Sequence, residues 1–241
     1  MEVGSRLFLV ACAETTQDRK GVYQSATDHK LTRKGKKHAR LLGMYLKEKE
    51  INSFYSSPFD GALITASALA AKHRRGVIKL PELQEMDFGK WTGMTPQQLK
   101  VSQENHVVTW QFTPHEFRMP GGETLEEVQA RITAALEDIV SVERGNGVCV
   151  VTHTIPVKTA MCHFMNEDLS IIWHTPRQES TALNIIDFED GEARVVLVGS
   201  LEHLGEESPT EVQKLTLPFG SMNPLLRTRH GRVVLECVRD E

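Results

Sequence analysis

Three side chains with the chemistry of a reactive site each follow an apolar run of the sequence. Cys12 ends the run at residues 7–12, Glu85 follows the run at 77–80, and His153 follows the run at 148–152. Loops at the carboxyl ends of strands form the ligand cleft of an open α/β sheet, so these positions are the informative ones. A thiol, an imidazole and a carboxyl are the groups of a thiol-dependent hydrolase or transferase. The sequence carries no oxyanion-hole signature, so that chemistry is one alternative among several.

Strands and helices alternate along most of the chain and predict how these residues are held. Continuous apolar runs or alternating patterns predict strands at residues 7–12, 51–57, 77–80, 148–152, 182–188 and 193–198. Helical periodicity predicts a helix after the cap Thr32, a long amphipathic helix from Thr124, and helices over residues 62–71 and 155–165. Asp190-Gly191 is a hairpin signal between the last two strands. The order predicts a three-layer α/β/α sandwich whose mostly parallel sheet has an antiparallel edge.

The domain organisation is predicted from where this rhythm changes. Residues 1–204 form the α/β domain, and residues 96–122, with weak periodicity and three prolines, are interpreted as an insertion or lid. Residues 205–241 lose the alternation and are predicted to be a C-terminal extension.

Composition limits the classes of function. A net charge of −4 over 241 residues gives no general attraction for nucleic acid or for a membrane surface, and no apolar stretch is long enough to span a bilayer. Cys12, Cys149, Cys162 and Cys237 form no CxxC pair, so neither a metal nor any other cofactor is predicted. Few, unpaired thiols favour a reducing compartment, and we expect a cytoplasmic protein.

The strand ends also carry a set of motifs in a characteristic order. They are Ala11-Cys12-Ala13-Glu14-Thr15, the spacing of Asp28, Leu31, Thr32 and Gly35, Ser56-Ser57-Pro58 with Gly61-Ala62, Pro120-Gly121-Gly122-Glu123-Thr124, and Thr152-His153-Thr154. This order resembles the histidine phosphatase superfamily over about residues 5 to 200, in the phosphoglycerate-mutase-like branch that includes α-ribazole phosphatases. The resemblance implies the fold predicted above and a phosphohistidine mechanism.

The resemblance also assigns a role to each motif position, and several positions have lost the expected residue. Cys12 stands where the family has its nucleophilic histidine, and the clamping arginines are replaced by Ala11 and Gly61. Glu85 occupies the position of the general acid and His153 that of the second histidine. Ala13 replaces a glycine, and Thr154 stands at the binding turn after His153.

The joint replacements at Ala11, Cys12 and Gly61 favour loss of phosphohistidine catalysis. A charge-assisted hydrogen bond contributes about 1.5–3 kcal/mol, so two missing arginines remove on the order of 5 kcal/mol of phosphate binding. We therefore interpret the chain as a pseudophosphatase with a binding or regulatory role. The ligand class is a small phosphorylated molecule or a protein partner, and the family allows a homodimer.

Two alternatives to the pseudophosphatase stay open at this point. One is an active phosphomonoesterase or phosphoglycerate mutase relative that has recruited Arg19, Lys20 or Arg118 as cations. The other is a thiol-dependent enzyme that uses Cys12. The tail also holds the tripeptide Arg229-His230-Gly231 that is missing from the first turn, and coincidence is the simpler explanation.

Overall fold

A computed structural model describes residues 4–25 and 30–207, together with the backbone of two further strands near the C-terminus. The main sheet contains six strands: β1 (Ser5–Ala11), β2 (Ser53–Ser56), β3 (Ile78–Lys79), β4 (Gly147–Thr152), β5 (Leu183–Glu189) and β6 (Glu192–Ser200). Their order is β3-β2-β4-β1-β5-β6: β3, β2, β4 and β1 are parallel to one another, β5 is antiparallel to β1, and β6 is antiparallel to β5. The predicted mixed sheet with an antiparallel edge is confirmed.

Six α-helices accompany this sheet in the described part of the chain. They are α1 (Arg33–Leu46), α2 (Asp60–His73), α3 (Pro96–Ser102), α4 (Glu104–Phe112), α5 (Leu125–Val142) and α6 (Thr154–Phe164). Thr32 caps α1 by accepting from the Gly35 amide, and Thr124 forms a capping box with Glu127 at the start of α5. None of the helices in the described ranges is long and apolar enough to cross a membrane.

The core lies on both faces of the sheet because side chains alternate along each strand. Leu7 and Leu9 of β1 pack in a cluster with Leu136 of α5 and Met161 of α6. Phe8 of β1 points the other way, into a cluster that contains residues of α1 and α2. A strand buried on both faces needs apolar residues at every position, which explains the continuous run at residues 7–12.

Residues 96–122, where the periodicity is weak, contain α3 and α4. These short helices bury Leu99, Val107 and Trp110 in an aromatic cluster rather than along a regular stripe. Trp110 meets Trp173 with ring centroids 4.9 Å apart, so contacts distant in sequence stabilise the pair of helices. The lid interpretation and the boundary at residue 205 stay predictions.

Two strands lie in the C-terminal region. β7 (Leu226–Arg229) and β8 (Arg232–Leu235) pair with each other in a separate antiparallel sheet. Arg229 therefore ends β7, whereas His230 and Gly231 lie outside the described residues, as does Asp28.

Candidate functional site

Cys12, Ser57 and His153 meet at the carboxyl ends of β1, β2 and β4. The Cys12 sulfur lies 3.7 Å from Nδ1 of His153, and Nε2 of the same ring lies 2.8 Å from Oγ of Ser57. Adjacent parallel strands bring their ends together, and β4 pairs with both β1 and β2. The structure thus brings the predicted thiol and imidazole into contact, and it adds a serine hydroxyl that the sequence analysis did not assign to the site.

The turn that carries Cys12 is held by backbone and side-chain hydrogen bonds. The Cys12 amide donates to the Thr152 carbonyl at 2.8 Å, and the Ala13 amide donates to Thr65 Oγ1 at 3.1 Å. Thr65 in turn donates to the carbonyl of Gly61 at 2.7 Å, which ties the first turn of α2 to the Cys12 turn. The turn that carries Cys12 is therefore fixed by hydrogen bonds to two neighbouring elements, β4 and α2.

Ala11 and Gly61, the two positions where the resemblance implies clamping arginines, carry no charge and are buried. Ala11 packs in the core cluster that contains Leu83, and Gly61 lies in the first turn of α2. Thr154 begins α6 directly after His153. The structure places all three positions beside the Cys12–His153 pair or in the turns that hold it, without supplying a cation.

Glu85 lies partly buried on the loop after β3 and accepts a hydrogen bond from the Met86 amide at 2.8 Å. Burial raises the pKa of Glu85 to about 8, and the Met86 amide and the Arg131 charge offset only part of that effect. At neutral pH the carboxyl is therefore mostly protonated and is able to donate a hydrogen bond.

Arg131 of α5 is a basic residue whose charge acts on Glu85 and His153, and the sequence analysis missed it. Its guanidinium donates to Glu123 at 2.8 and 3.0 Å and to the carbonyls of Glu82, Gln84 and Glu85 at 2.8–3.1 Å. These bonds engage Nε and both terminal nitrogens, so Arg131 holds the Glu85 loop in place. Helical periodicity gives no signal for such a role, because the partners lie on distant loops.

The electrostatic environment keeps the thiol and the imidazole neutral. Burial raises the pKa of Cys12 well above its ordinary value, and the carboxyls of Asp18 and Glu85 raise it further. Burial lowers the pKa of His153 to about 3, and the positive charge of Arg131 contributes to this shift. An ion pair of thiolate and imidazolium, which activates many catalytic cysteines, is therefore disfavoured here.

Asp18 contributes a second carboxyl near the Cys12 turn. It accepts from the Thr15 amide at 2.6 Å, from the Thr15 hydroxyl at 2.8 Å and from Gln24 at 2.8 Å. Burial raises the pKa of Asp18, while the bonds from Thr15 and Gln24 partly offset the effect. When it is ionised, the Asp18 carboxylate repels an anion that approaches the cleft.

The basic residues considered for recruitment do not form a visible phosphate clamp. Arg118 forms an ion pair with Glu127, with contacts of 2.5 and 3.1 Å. Arg19 and Lys20 are exposed on the turn after Asp18. In the alkaline range where the Cys12 thiol would ionise, the charges that raise its pKa are those of Asp18 and Glu85.

Alkylation of Cys12 is expected to be slow at neutral pH. Because the thiolate is the nucleophile, each unit of upward pKa shift lowers the rate about tenfold. Labelling with iodoacetamide at pH 7, with peptide mass spectrometry to separate Cys12 from the other cysteines, should therefore run at least about tenfold slower than in the urea-unfolded chain. Rapid labelling with an apparent pKa below 7 would instead support a thiol-dependent enzyme.

Comparisons with known proteins find relatives that match over most of the chain. A family model described as the histidine phosphatase superfamily (branch 1) matches residues 7–201. Phosphoserine phosphatase 1 of Hydrogenobacter thermophilus is 30% identical over 201 residues, which cover 83% of this chain and 95% of that protein. The 2,3-bisphosphoglycerate-dependent phosphoglycerate mutase of Thermoplasma acidophilum is 28% identical over 201 residues, covering 80% and 92% of the two chains.

Solved structures are similar over the same region. YhfR of Bacillus stearothermophilus superposes with a TM-score of 0.79 at 27% identity, covering 83% of this chain and 99% of that one. The α-ribazole phosphatase of Shigella flexneri has a TM-score of 0.72 at 21% identity over 81% and 96% of the two chains, a likeness that supports the fold alone. The family model spans most of the chain and confirms the resemblance seen in the motifs, so this protein belongs to the histidine phosphatase superfamily.

Proposed function

We propose that this chain is a pseudophosphatase that has lost phosphohistidine catalysis and acts by binding at its old cleft. The observation that carries the proposal is the neutral Cys12–His153 pair, flanked by the carboxyls of Asp18 and Glu85. A phosphate dianion needs concentrated positive charge, and phosphoryl transfer needs it still more in the transition state. Arg131, whose charge reaches the site, is engaged by Glu123 and three carbonyls.

The binding role takes either a small molecule in the cleft or a protein partner. A neutral thiol, a neutral imidazole and a protonated carboxyl offer hydrogen bonds without fixed charge, which suits a weakly charged ligand better than a free phosphate dianion. The few cysteines support the cytoplasm as the place where it acts.

A second candidate is an active phosphomonoesterase or mutase relative, and the comparisons favour it. The relatives carry the names of a phosphoserine phosphatase and a phosphoglycerate mutase. The protonated Glu85 supports it as well, because a carboxyl with a pKa of about 8 is suited to protonating a leaving group near neutral pH. His153 is also retained at the position where the family holds the phosphoryl oxygens.

Turnover of p-nitrophenyl phosphate and O-phosphoserine distinguishes the two candidates. The pseudophosphatase proposal expects the native chain, the Glu85→Gln variant and the His153→Ala variant to release phosphate at the same background rate. Robust turnover that disappears in both variants would overturn it in favour of the active enzyme. Phosphoserine phosphatase 1 of Hydrogenobacter thermophilus serves as the positive control for the assay.

A further inference from the structure

The segment after β6 is anchored to α1 at several points. Residues 201–207, which we call the clamp segment, form an ion pair between Glu207 and Lys37 at 2.5 Å and a hydrogen bond from Tyr45 to Glu202 at 2.9 Å. His203 and Leu204 of this segment are buried. The clamp segment is therefore a packed part of the domain, and its histidine points inward.

Nε2 of His203 lies 2.9 Å from the hydroxyl of Thr181. That hydroxyl uses its proton to donate to the Ser180 carbonyl at 2.6 Å, so toward His203 it is only an acceptor. Nε2 of His203 therefore carries a proton and donates to the Thr181 hydroxyl. Burial and the neighbouring His38 lower the pKa of His203 to about 4, so the ring is neutral near pH 7. The neighbouring His38 is itself acted on by the charges of Lys34, Lys37, Glu14 and Glu207, and Glu202 directly precedes His203 in the clamp segment.

Thr181 has a backbone conformation that a β-branched residue rarely adopts. Its φ is +65°, in the left-handed region where the Cβ of an L-residue is crowded. Such a conformation persists only where surrounding contacts impose it, and Thr181 is fully buried. The bond from His203 is one of those contacts.

The backbone amide of Thr181 leads directly to the candidate site. It donates to the Ala11 carbonyl at 3.1 Å and lies 3.4 Å from the Cys12 carbonyl. A return of Thr181 to negative φ would rotate this amide and remove a support of the Cys12 turn. An unbroken series of hydrogen bonds therefore connects His203, Thr181 and the residues at the nucleophile position.

We propose that His203 is a positioning residue for the Cys12 turn and acts through the left-handed Thr181. The inference goes beyond the proposed function and does not depend on it, because the turn is held in the same way whether the cleft binds or catalyses. It also assigns the clamp segment a role in the geometry of the cleft.

The test measures alkylation of Cys12 in full-length variants, together with thermal unfolding. His203→Leu is expected to raise the labelling rate about three- to tenfold, the range that corresponds to one lost hydrogen bond. His203→Gln, whose amide is able to donate to Thr181, should restore a rate within about twofold of the native one. Tyr45→Phe is the matched control, because it removes another contact of the clamp segment and should leave the labelling rate unchanged.

A second pair of variants separates positioning from general loosening of the fold. Thr181→Gly makes the left-handed conformation favourable without help, so adding His203→Leu to that background should leave the labelling rate unchanged. Thr181→Val removes the hydroxyl alone and should reproduce the effect of His203→Leu, which covers the case in which His203→Leu does not fold.

Equal labelling of the native chain and a folded His203→Leu or Thr181→Val variant would overturn the proposal. An equal effect of His203→Leu with Thr181 and with Thr181→Gly would also overturn it. A failed phosphatase assay bears on neither outcome, since the readout is the thiol.

Discussion

The quadruple variant Ala11→Arg, Cys12→His, Ala13→Gly and Gly61→Arg is expected to hydrolyse p-nitrophenyl phosphate at least about a thousandfold faster than the native chain. Two clamping arginines restore on the order of 5 kcal/mol of interaction with the phosphoryl group, and each 1.36 kcal/mol is a tenfold rate factor when it acts in the transition state. The histidine adds the nucleophile that the family mechanism requires.

The expectation depends on a scaffold that has kept its geometry. The Cys12 amide remains bound to Thr152, and the Ala13 amide to Thr65, so a side chain at position 12 still leaves the end of β1 beside His153. Glu85 is mostly protonated near pH 7 and is available as the acid. We therefore expect the variant to add the family's reactive groups to a turn whose backbone is already held in place.

Variants with fewer or additional substitutions test which groups the expected turnover requires. Cys12→His alone is expected to gain little, because a nucleophile without arginines faces an unclamped phosphate next to two carboxyls. Adding Glu85→Gln to the quadruple variant should return the rate toward background. A folded quadruple variant with no turnover would contradict the view that these four substitutions are what removed catalysis.

The elements that hold the site could be predicted because local patterns encode them. The run at residues 7–12 is apolar at every position since β1 is buried on both faces, and Thr32 and Thr124 cap helices within three residues of their partners. Such interactions join residues that are close together in the sequence. They therefore allow the sequence alone to predict that Cys12 and His153 lie at the ends of strands.

The missed features depend on contacts between distant segments. Ser57 reaches His153 across 96 residues, and Arg131 reaches the carbonyls of a loop more than 40 residues away. The left-handed conformation of Thr181 could not be predicted either, because a β-branched residue rarely adopts it and only its buried contacts impose it. Hydrophobic periodicity and helix-capping patterns do not predict hydrogen bonds between residues so far apart in the sequence.

The Glu85→Gln variant is expected to be more stable than the native chain at pH 8 and equally stable near pH 4.5. Glu85 has a pKa of about 8 in the folded state against an ordinary value of 4.5, so the folded state binds its proton more tightly. A raised carboxyl pKa costs nothing below the unfolded value and destabilises increasingly as the pH rises from 4.5 to 8. Gln imitates the protonated form at every pH, and the expected gain at pH 7 is about 2–3 kcal/mol, or about 5–10 °C in Tm.

Thermal unfolding between pH 4.5 and 8 measures this difference, with Glu82→Gln as the matched control on the exposed turn just before Glu85. The control should change Tm equally at both ends of the range.

The pKa of His153 is shifted in the opposite direction, downward, which gives stability above pH 6.5 that is lost as the pH falls toward 3. Glu85→Gln should therefore raise only the alkaline side of the pH–stability curve. An equal effect at pH 4.5 and 8 would mean that Glu85 titrates normally in the folded chain, and it would remove the protonated acid on which the active-enzyme candidate depends.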